Sequence, residues 1–376
     1  MRILFVGNSG PVFLTHRLPL VLAALKAGYD VHVALPPSPM SRQIANYDFE
    51  FHEIPLSRSS INPFSEMISL IALYFLYRKI RPDIIHHVTL KPVLYGSLAA
   101  NLAKIPAIVN TISGLGYVFV TNNFKANVLF VLVKCLFKIS FLHPNKRVIF
   151  QNPENLSDFL SYGLIDKENT VLIKGSGVDT ETFKPSSEPH STPVVMVASR
   201  MLLDKGICEF VEAAREIKAE GGKARFVLVG DVDPENPMTI TASQIKKWVD
   251  EDIIEWWGKQ KNMPEIFSRA HIISLPSYAE GLPKVLIEAS ACGRPIVTTD
   301  VSGCRDTVIN GENGILVPAH DSKALASAFR KLIPDPQLRQ RMGKAGREIA
   351  VNEFSIEIVI KKTFAVYQDL SRSFNM

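Results

Sequence analysis

HIISLPSYAEGLPKVLIEASACGRPIVTT, residues 271–299, is the stretch that decides the fold. Its opening run is short, apolar and closed by Pro276 and Ser277, which reads as a buried strand. VLIEAS then begins a helix, Gly293, Arg294 and Pro295 stop it, and PIVTT runs on as a second buried strand. Strand, loop, helix and strand in that order make the repeating unit of a parallel α/β sheet. Glu280 falls on the loop after the first strand, and Glu288 about two turns into the helix. In open α/β sheets ligands bind outside the carboxyl ends of the strands. Two carboxylates there can grip separate hydroxyls of one polyhydroxylated ligand. The backbone N–H groups of Gly281, Leu282 and their neighbours, at a helix start, suit a phosphate. A bare pair of glutamates would read as solvated charges; the strand-loop-helix-strand setting argues for a site.

The same rhythm extends in both directions. MRILFVGN, SGPVFLTHR and LPLVLAALKAGYDVHVALP read strand, loop, helix, strand, with Gly28 closing the helix. PDIIHHV, PAIVNTIS and RVIFQN add further strands. GSGVDTETFKPSSEPHSTP, rich in Gly, Ser, Thr and Pro, interrupts the pattern and reads as an interdomain linker. The rhythm restarts with PVVMVASR, CEFVEAAREIK and RFVLVGD, then IIEWWG, and ends in the apolar-periodic helices DSKALASAFRKLI and SIEIVIKKTFAVYQDL. The expectation is two parallel α/β domains facing each other across a cleft. The first spans residues 1–176 and the second 190–352, and a terminal helix, 353–376, crosses back to the first.

Composition agrees. A chain of 376 residues with 47% hydrophobic and 21% charged residues is globular and long enough for two cores. A net charge of +5 makes no demand for nucleic acid, though it favours an anionic ligand or membrane surface. Cys135, Cys208, Cys292 and Cys304 have neither metal nor redox spacing, so reduced thiols in a cytoplasmic protein are expected. MRILFVGNSG reads as a strand rather than a signal peptide, and no segment is clean enough for a transmembrane helix.

Two segments depart from the ordinary soluble pattern. NPFSEMISLIALYFLYRKIRPD and NFKANVLFVLVKCLFKISFLHPNKR are long apolar helices, each ending in bases. In the second, Asn127, Lys134 and Lys138 form one narrow polar stripe. Both segments fit helices lying in a membrane interface, with Lys125, Lys146 and Arg147 near anionic headgroups. They fit equally well helices buried between the sheet and its neighbours, with snorkelling lysines.

The block SLPSYAEGLPKVLIEASACGRPIVTTDVSGCRDTVINGENGILVP resembles the donor-binding region of family-4 retaining glycosyltransferases of GT-B fold, two Rossmann-like domains about a central cleft. Glu280 and Glu288 match that family's paired glutamates, and VASRMLLDKG resembles its Arg-then-Lys strand end, placing Arg200 and Lys205. The resemblance is strong over residues 194–318 and looser in the first domain. NTISGLGYVF and HHVTLKPVLYG resemble bacterial members that build O-antigen, capsule or protein glycans on a polyprenyl diphosphate. It implies that Arg200 and Lys205 neutralise a nucleotide diphosphate, Glu288 holds the ribose and Glu280 meets the transferred sugar. Backbone from Gly281, Leu282, Pro283 to Val285 would complete the phosphate cradle, with Gly10 of the GNSG loop a close approach from the first domain.

On the acceptor or sugar side the expected residues are His16, Arg17, His86, His87, Lys91, Ser113 and Gly114, with His16 and Arg17 equally readable as a surface pair at a helix start. One of the adjacent histidines would face the cleft, unless both are packing residues; Lys91 meets a diphosphate or is solvated. Many family members carry a histidine where this chain has Ser113. Asp179 reads as a cap or hinge, and one of Trp256 and Trp257 as a core residue. The resemblance implies a hexosyltransferase taking a UDP-sugar, its sugar expected to be an N-acetylhexosamine, to a polyprenyl-diphosphate-linked glycan on the inner face of the cytoplasmic membrane. No metal or other cofactor is expected, and no nucleic acid partner. The rival readings are a sugar-nucleotide epimerase of similar fold and a non-catalytic nucleotide-sugar-binding subunit.

Overall fold

The structure, a computed structural model, describes residues 1–57, 62–113 and 133–372. The chain forms two compact units, Met1–Ser176 with Ile356–Met376, and Gly177–Ser355. The first is built on β1 (Arg2–Val6), β2 (Asp30–Leu35), β3 (Glu50–Glu53), β4 (Ile84–Val88), β5 (Ala107–Ile112), β6 (Lys146–Phe150) and β7 (Thr170–Leu172), in the order β3-β2-β1-β4-β5-β6-β7. The second holds β8 (Val194–Ala198), β9 (Arg225–Val229), β10 (Glu255–Trp256), β11 (Ile272–Leu275), β12 (Ile296–Thr299) and β13 (Gly314–Val317), in the order β10-β9-β8-β11-β12-β13. All of these pairings are parallel. Each is a doubly wound sheet whose strand order reverses once, between β1 and β4 and again between β8 and β11.

Burial on both faces explains the near-continuous apolar strands. In β1, Ile3 and Phe5 join one core and Leu4 and Val6 another, the two-residue alternation of a strand. The terminal helix Ile356–Arg372 packs on the first of these cores through Val359, Val366, Tyr367 and Leu370. The second core is closed by Leu73, Tyr77 and Ile80 of helix Pro63–Ile80.

The Pro- and Ser-rich stretch after Gly177 is pinned to the second unit by three arginines. Arg294 donates to Ser186 Oγ at 2.5 Å and to the Ser187 carbonyl at 3.3 Å. Arg339 forks onto Glu188 at 2.9 and 2.8 Å. Arg347 donates to the carbonyls of Thr180 and Phe183 at 3.1 and 2.7 Å. Composition reads it as an interdomain linker; its anchors lie about a hundred residues or more downstream and leave no local trace. Asp179 caps its own turn, accepting from the Glu181 and Thr182 amides at 2.9 and 3.1 Å.

In the first unit His86 and His87, side by side in β4, are buried on opposite faces of the sheet, His86 on the side of the terminal helix and His87 on that of helix Pro63–Ile80. His86 bonds Tyr367 Oη at 2.6 Å and Thr111 Oγ1 at 2.7 Å. His87 bonds Tyr77 Oη at 3.0 Å and Asn110 Oδ1 at 2.8 Å. Burial holds the His86 imidazole well below its ordinary range and pushes His87 down to about 4. Their protons therefore bind the unfolded chain first, so the stability they contribute is full above about pH 6.5 and is lost as pH falls toward about 4. At about pH 5 the His87 contribution alone is lower by about 2 kcal/mol, an expectation that urea midpoints at neutral and acid pH check.

Candidate functional site

Arg200 and Lys205 follow β8, while Glu280 follows β11 and Glu288 lies in the helix Lys284–Ala291 after it. The two strands are neighbours, Ile272 opposite Val195 and Ser274 opposite Val197, and flank the strand-order reversal of the second sheet. The loops and helix that carry these four residues thus follow adjacent strands at the reversal, where α/β sheets bind ligands; of the four, Lys205 and Glu280 are in direct contact.

Three loops interlock there. Gly206 ends the turn Leu203–Lys205 with φ +68°, and a β-carbon on it would stand 2.0 Å from the Pro276 carbonyl oxygen. Gly303, at φ +77° in the loop after β12, would meet the carbonyl oxygens of Gly281 and Glu280 at 2.6 and 2.7 Å. Only glycine allows these approaches. Ser277 Oγ donates to the Asp204 carbonyl at 3.0 Å and the Tyr278 amide to the same oxygen at 2.9 Å. Thr299 Oγ1 adds a short hydrogen bond to the Ser277 carbonyl. The Tyr278 hydroxyl donates to Glu209 Oε1 at 2.7 Å.

The charges come in pairs. Lys205 Nζ donates to Glu280 Oε1 at 2.6 Å, both side chains largely shielded from solvent. Lys284 Nζ stands 3.8 Å from Glu288 Oε1, one helical turn away. Burial pushes the Glu288 carboxyl up to about 7 against the pull of Lys284. Arg200 pairs with Asp233 at 2.7 Å on a more exposed rim. Each cation is held beside an acid that an anionic ligand can displace, and each carboxylate can turn to hydroxyls when its cation leaves. Lys284 and Asp233 escaped the sequence reading, although Lys284 is four residues before Glu288. Pro283 precedes the first helical residue, Leu282 packs toward Ile287 and Ala291, and Val285 toward Leu286 and Ile296. Among the described residues no group of three or more His, Cys, Asp or Glu side chains is arranged to hold a metal.

The residues expected on the acceptor or sugar side lie in the first unit and gather less closely. The packing alternative holds for His86 and His87: both rings have both nitrogens occupied inside the core, so neither is available to a ligand. Arg17 is also buried, its Nε without a partner, and desolvation lowers it to about 10. His16 Nδ1 bonds Ser176 Oγ at 2.8 Å. Lys91 is neither solvated nor bare, since Glu66 Oε1 lies 2.6 Å from its Nζ. Gly10 opens helix Gly10–His16, against Ser38 and Ser41. Ser113 follows β5, and Gly114 lies outside the described residues. A feature with no sequence signal is Thr89, a β-branched residue at φ +74°, whose Oγ1 donates to Asn8 Oδ1 at 2.8 Å. It ties the loops after β1 and β4 at the reversal of the first sheet, where backbone strain of this kind is found at functional positions.

Trp256 Nε1 donates to the Gly230 carbonyl at 2.9 Å and packs on the main core of the second unit. Trp257 is covered by the Arg269 guanidinium at 4.0 Å.

Two sequence families match consecutive parts of the chain. "Glycosyl transferase 4-like" covers residues 2–152 and "Glycosyl transferases group 1" residues 178–349. The chain is 29% identical to N,N'-diacetylbacillosaminyl-diphospho-undecaprenol alpha-1,3-N-acetylgalactosaminyltransferase of Campylobacter jejuni, over 98% of each chain. It is 28% identical to the capsular polysaccharide biosynthesis glycosyltransferase CapM of Staphylococcus aureus, over 91% of this chain and 90% of that one. It is 26% identical to UDP-Gal:alpha-D-GlcNAc-diphosphoundecaprenol alpha-1,3-galactosyltransferase of Escherichia coli, over 84% and 83%. In fold it resembles the crystal structure of a glycosyltransferase from Rickettsia africae, with a TM-score of 0.81, 20% identity and 98% of each chain covered.

Proposed function

The chain belongs to the GT-B glycosyltransferases, a 4-like domain followed by a group 1 domain, and from that premise we propose that it moves a hexose, as an N-acetylhexosamine, from a UDP-sugar to a polyprenyl-diphosphate-linked glycan with retention of anomeric configuration. The observation that carries the proposal is the pair of lysine–glutamate contacts, Lys205–Glu280 and Lys284–Glu288, at the reversal of the second sheet. The two relatives whose names specify diphospho-undecaprenol-linked acceptors support the acceptor class. The reaction is placed at the cytoplasmic face of the membrane, where such an acceptor is held by its lipid.

In this reading Arg200 and Lys205 take the diphosphate and neutralise the charge that develops on it as the glycosidic bond breaks. Arg200 offers a rigid two-pronged fork and Lys205 a mobile point charge. Release from Lys205 turns the Glu280 carboxylate to the sugar hydroxyls, beside the positive charge that grows at the anomeric carbon. Glu288 accepts the two ribose hydroxyls. The departing phosphate takes the acceptor proton on the same face, so that no separate protein base is required.

Ribose binding in this form needs an ionised Glu288. With that carboxyl at about 7, UDP affinity is expected to rise by up to about tenfold between roughly pH 6 and pH 8. Calorimetric titrations of Glu288→Gln, in which only the pH dependence of the nucleotide itself remains, isolate the effect. For the reaction, a panel of UDP-sugars with a membrane lipid extract in EDTA should give one sugar-extended lipid by mass, with a retained anomer by NMR. No extended product from any UDP-sugar, or a 2-epimer formed without acceptor, would overturn the proposal.

A further inference from the structure

Helix Pro63–Ile80 presents apolar residues to solvent as well as to the core. Ser69, Leu73, Tyr77 and Ile80 face the core, and Glu66 turns inward onto Lys91. On the opposite face Phe64, Met67, Ile68, Ile71 and Phe75 are 82, 56, 58, 48 and 64% exposed. Their spacing puts all five on one stripe. The stripe ends in exposed Arg78 and Lys79, and its outward face carries no acid. Just beyond, Arg81 and Lys104, both in left-handed backbone, join Arg78 around a recess of about 290 Å3, whose one acid, Asp83, accepts from the Arg2 amide at 2.7 Å. Leu102, 65% exposed on the neighbouring helix Ser97–Ala103, is two residues from that rim.

The other apolar segment is mixed where it is described, with Ile139 and Leu142 exposed and its aromatic residues buried. Phe137 and Phe141 are buried among Phe150 and Phe159, and Lys134 lies 4.8 Å over the Tyr162 ring. Lys146 donates to the His143 carbonyl and Arg147 to Asp369, so these two bases are engaged within the unit rather than reserved for headgroups. Lys125 and Asn127 lie outside the described residues.

We propose that the outward face of helix Pro63–Ile80 docks in the plane of an anionic bilayer, with Phe64, Ile68, Ile71 and Phe75 in the acyl boundary and Arg78, Lys79, Arg81 and Lys104 on lipid phosphates. An apolar stripe bounded by cations and free of outward acids matches such a surface in both hydrophobicity and charge. The helix lies on the bilayer and does not cross it, because its other face is built into the protein core, and no described helix is long and apolar enough to span. The inference deepens the proposed function, and rests on it only for why the enzyme needs a membrane.

Full-length protein should co-sediment with vesicles containing roughly 30% phosphatidylglycerol, and at least about tenfold less with phosphatidylcholine alone or in high salt. Ile68→Lys/Phe75→Lys, at exposed positions, should melt as the wild type does and bind anionic vesicles at least about tenfold more weakly. Arg78→Glu/Lys104→Glu should abolish the preference for anionic lipid. Wild-type protein that stays in the supernatant, or an Ile68→Lys/Phe75→Lys variant that binds like wild type, would overturn the inference. So would a wild-type dimer that this variant dissociates, since a second copy would then cover the stripe. Transfer to a soluble short-chain acceptor separates the two claims. It should be equal in wild type and variant, and its absence from both would count against the proposed function while leaving the vesicle result standing.

Discussion

Glu280→Gln is expected to lower sugar transfer by on the order of a thousandfold while UDP affinity stays the same or tightens slightly. Two consequences of one contact separate here. The carboxylate lies 2.6 Å from Lys205 Nζ, so its charge is partly spent on that lysine when no ligand is bound. The amide removes the charge and keeps the shape. Lys205 is then released from its acid and is at least as available to a diphosphate. At the transition state the amide offers no negative charge to the anomeric carbon, and preorganised charges of this kind carry several kcal/mol of a barrier. Single-turnover transfer and UDP calorimetry on the same preparation read the two effects. A variant that is folded, binds UDP and transfers at the normal rate would remove Glu280 from the reacting centre.

Gly206→Ala is expected to destabilise the second unit by about 3 kcal/mol, lowering its melting temperature by roughly 10 °C. Both causes of strain meet at this residue. Its φ of +68° is one that a β-carbon disfavours, and that carbon would stand 2.0 Å from the Pro276 carbonyl oxygen. The obstacle is backbone at the end of β11, which cannot yield as a flexible side chain would. Gly221 is the control: its φ is +81°, but nothing lies within 4 Å of its β-carbon position, so alanine there should cost only about 1 kcal/mol. Thermal melts of the two variants should differ accordingly. Because Gly206 joins the loop bearing Lys205 to the strand leading to Glu280, donor binding should fall with stability in the first variant and not in the second.

Much of this was legible in the sequence because it is local. The strand, loop, helix and strand around Glu280 and Glu288 are separated by ordinary stop signals, and a parallel sheet buries both faces, so its strands read as plain apolar runs. The resemblance added Arg200 and Lys205, which no local pattern joins to the glutamates. What escaped was set by distant partners. Helix Pro336–Phe354 buries Arg339, Gly343, Gly346 and Ala350 with only Met342 and Phe354 as large apolar side chains, so its period is faint. His86 and His87 sit at the carboxyl half of a strand, as site residues do, yet Tyr367, 280 or more residues away, and Tyr77 enclose them. Helix Pro63–Ile80 is apolar all round; only the packing of Leu73 and Tyr77 distinguishes its buried face from its exposed one. The strained Thr89 has no sequence signature at all.

That the second unit holds the nucleotide diphosphate with its own cations, without a metal, is tested most directly by titrating UDP into the protein in EDTA. The wild type is expected to bind under these conditions and Lys205→Met to bind at least about tenfold more weakly, with the loss largely absent for uridine, which has no phosphate to neutralise. UDP binding that requires an added divalent ion, or that Lys205→Met leaves unchanged, would contradict it.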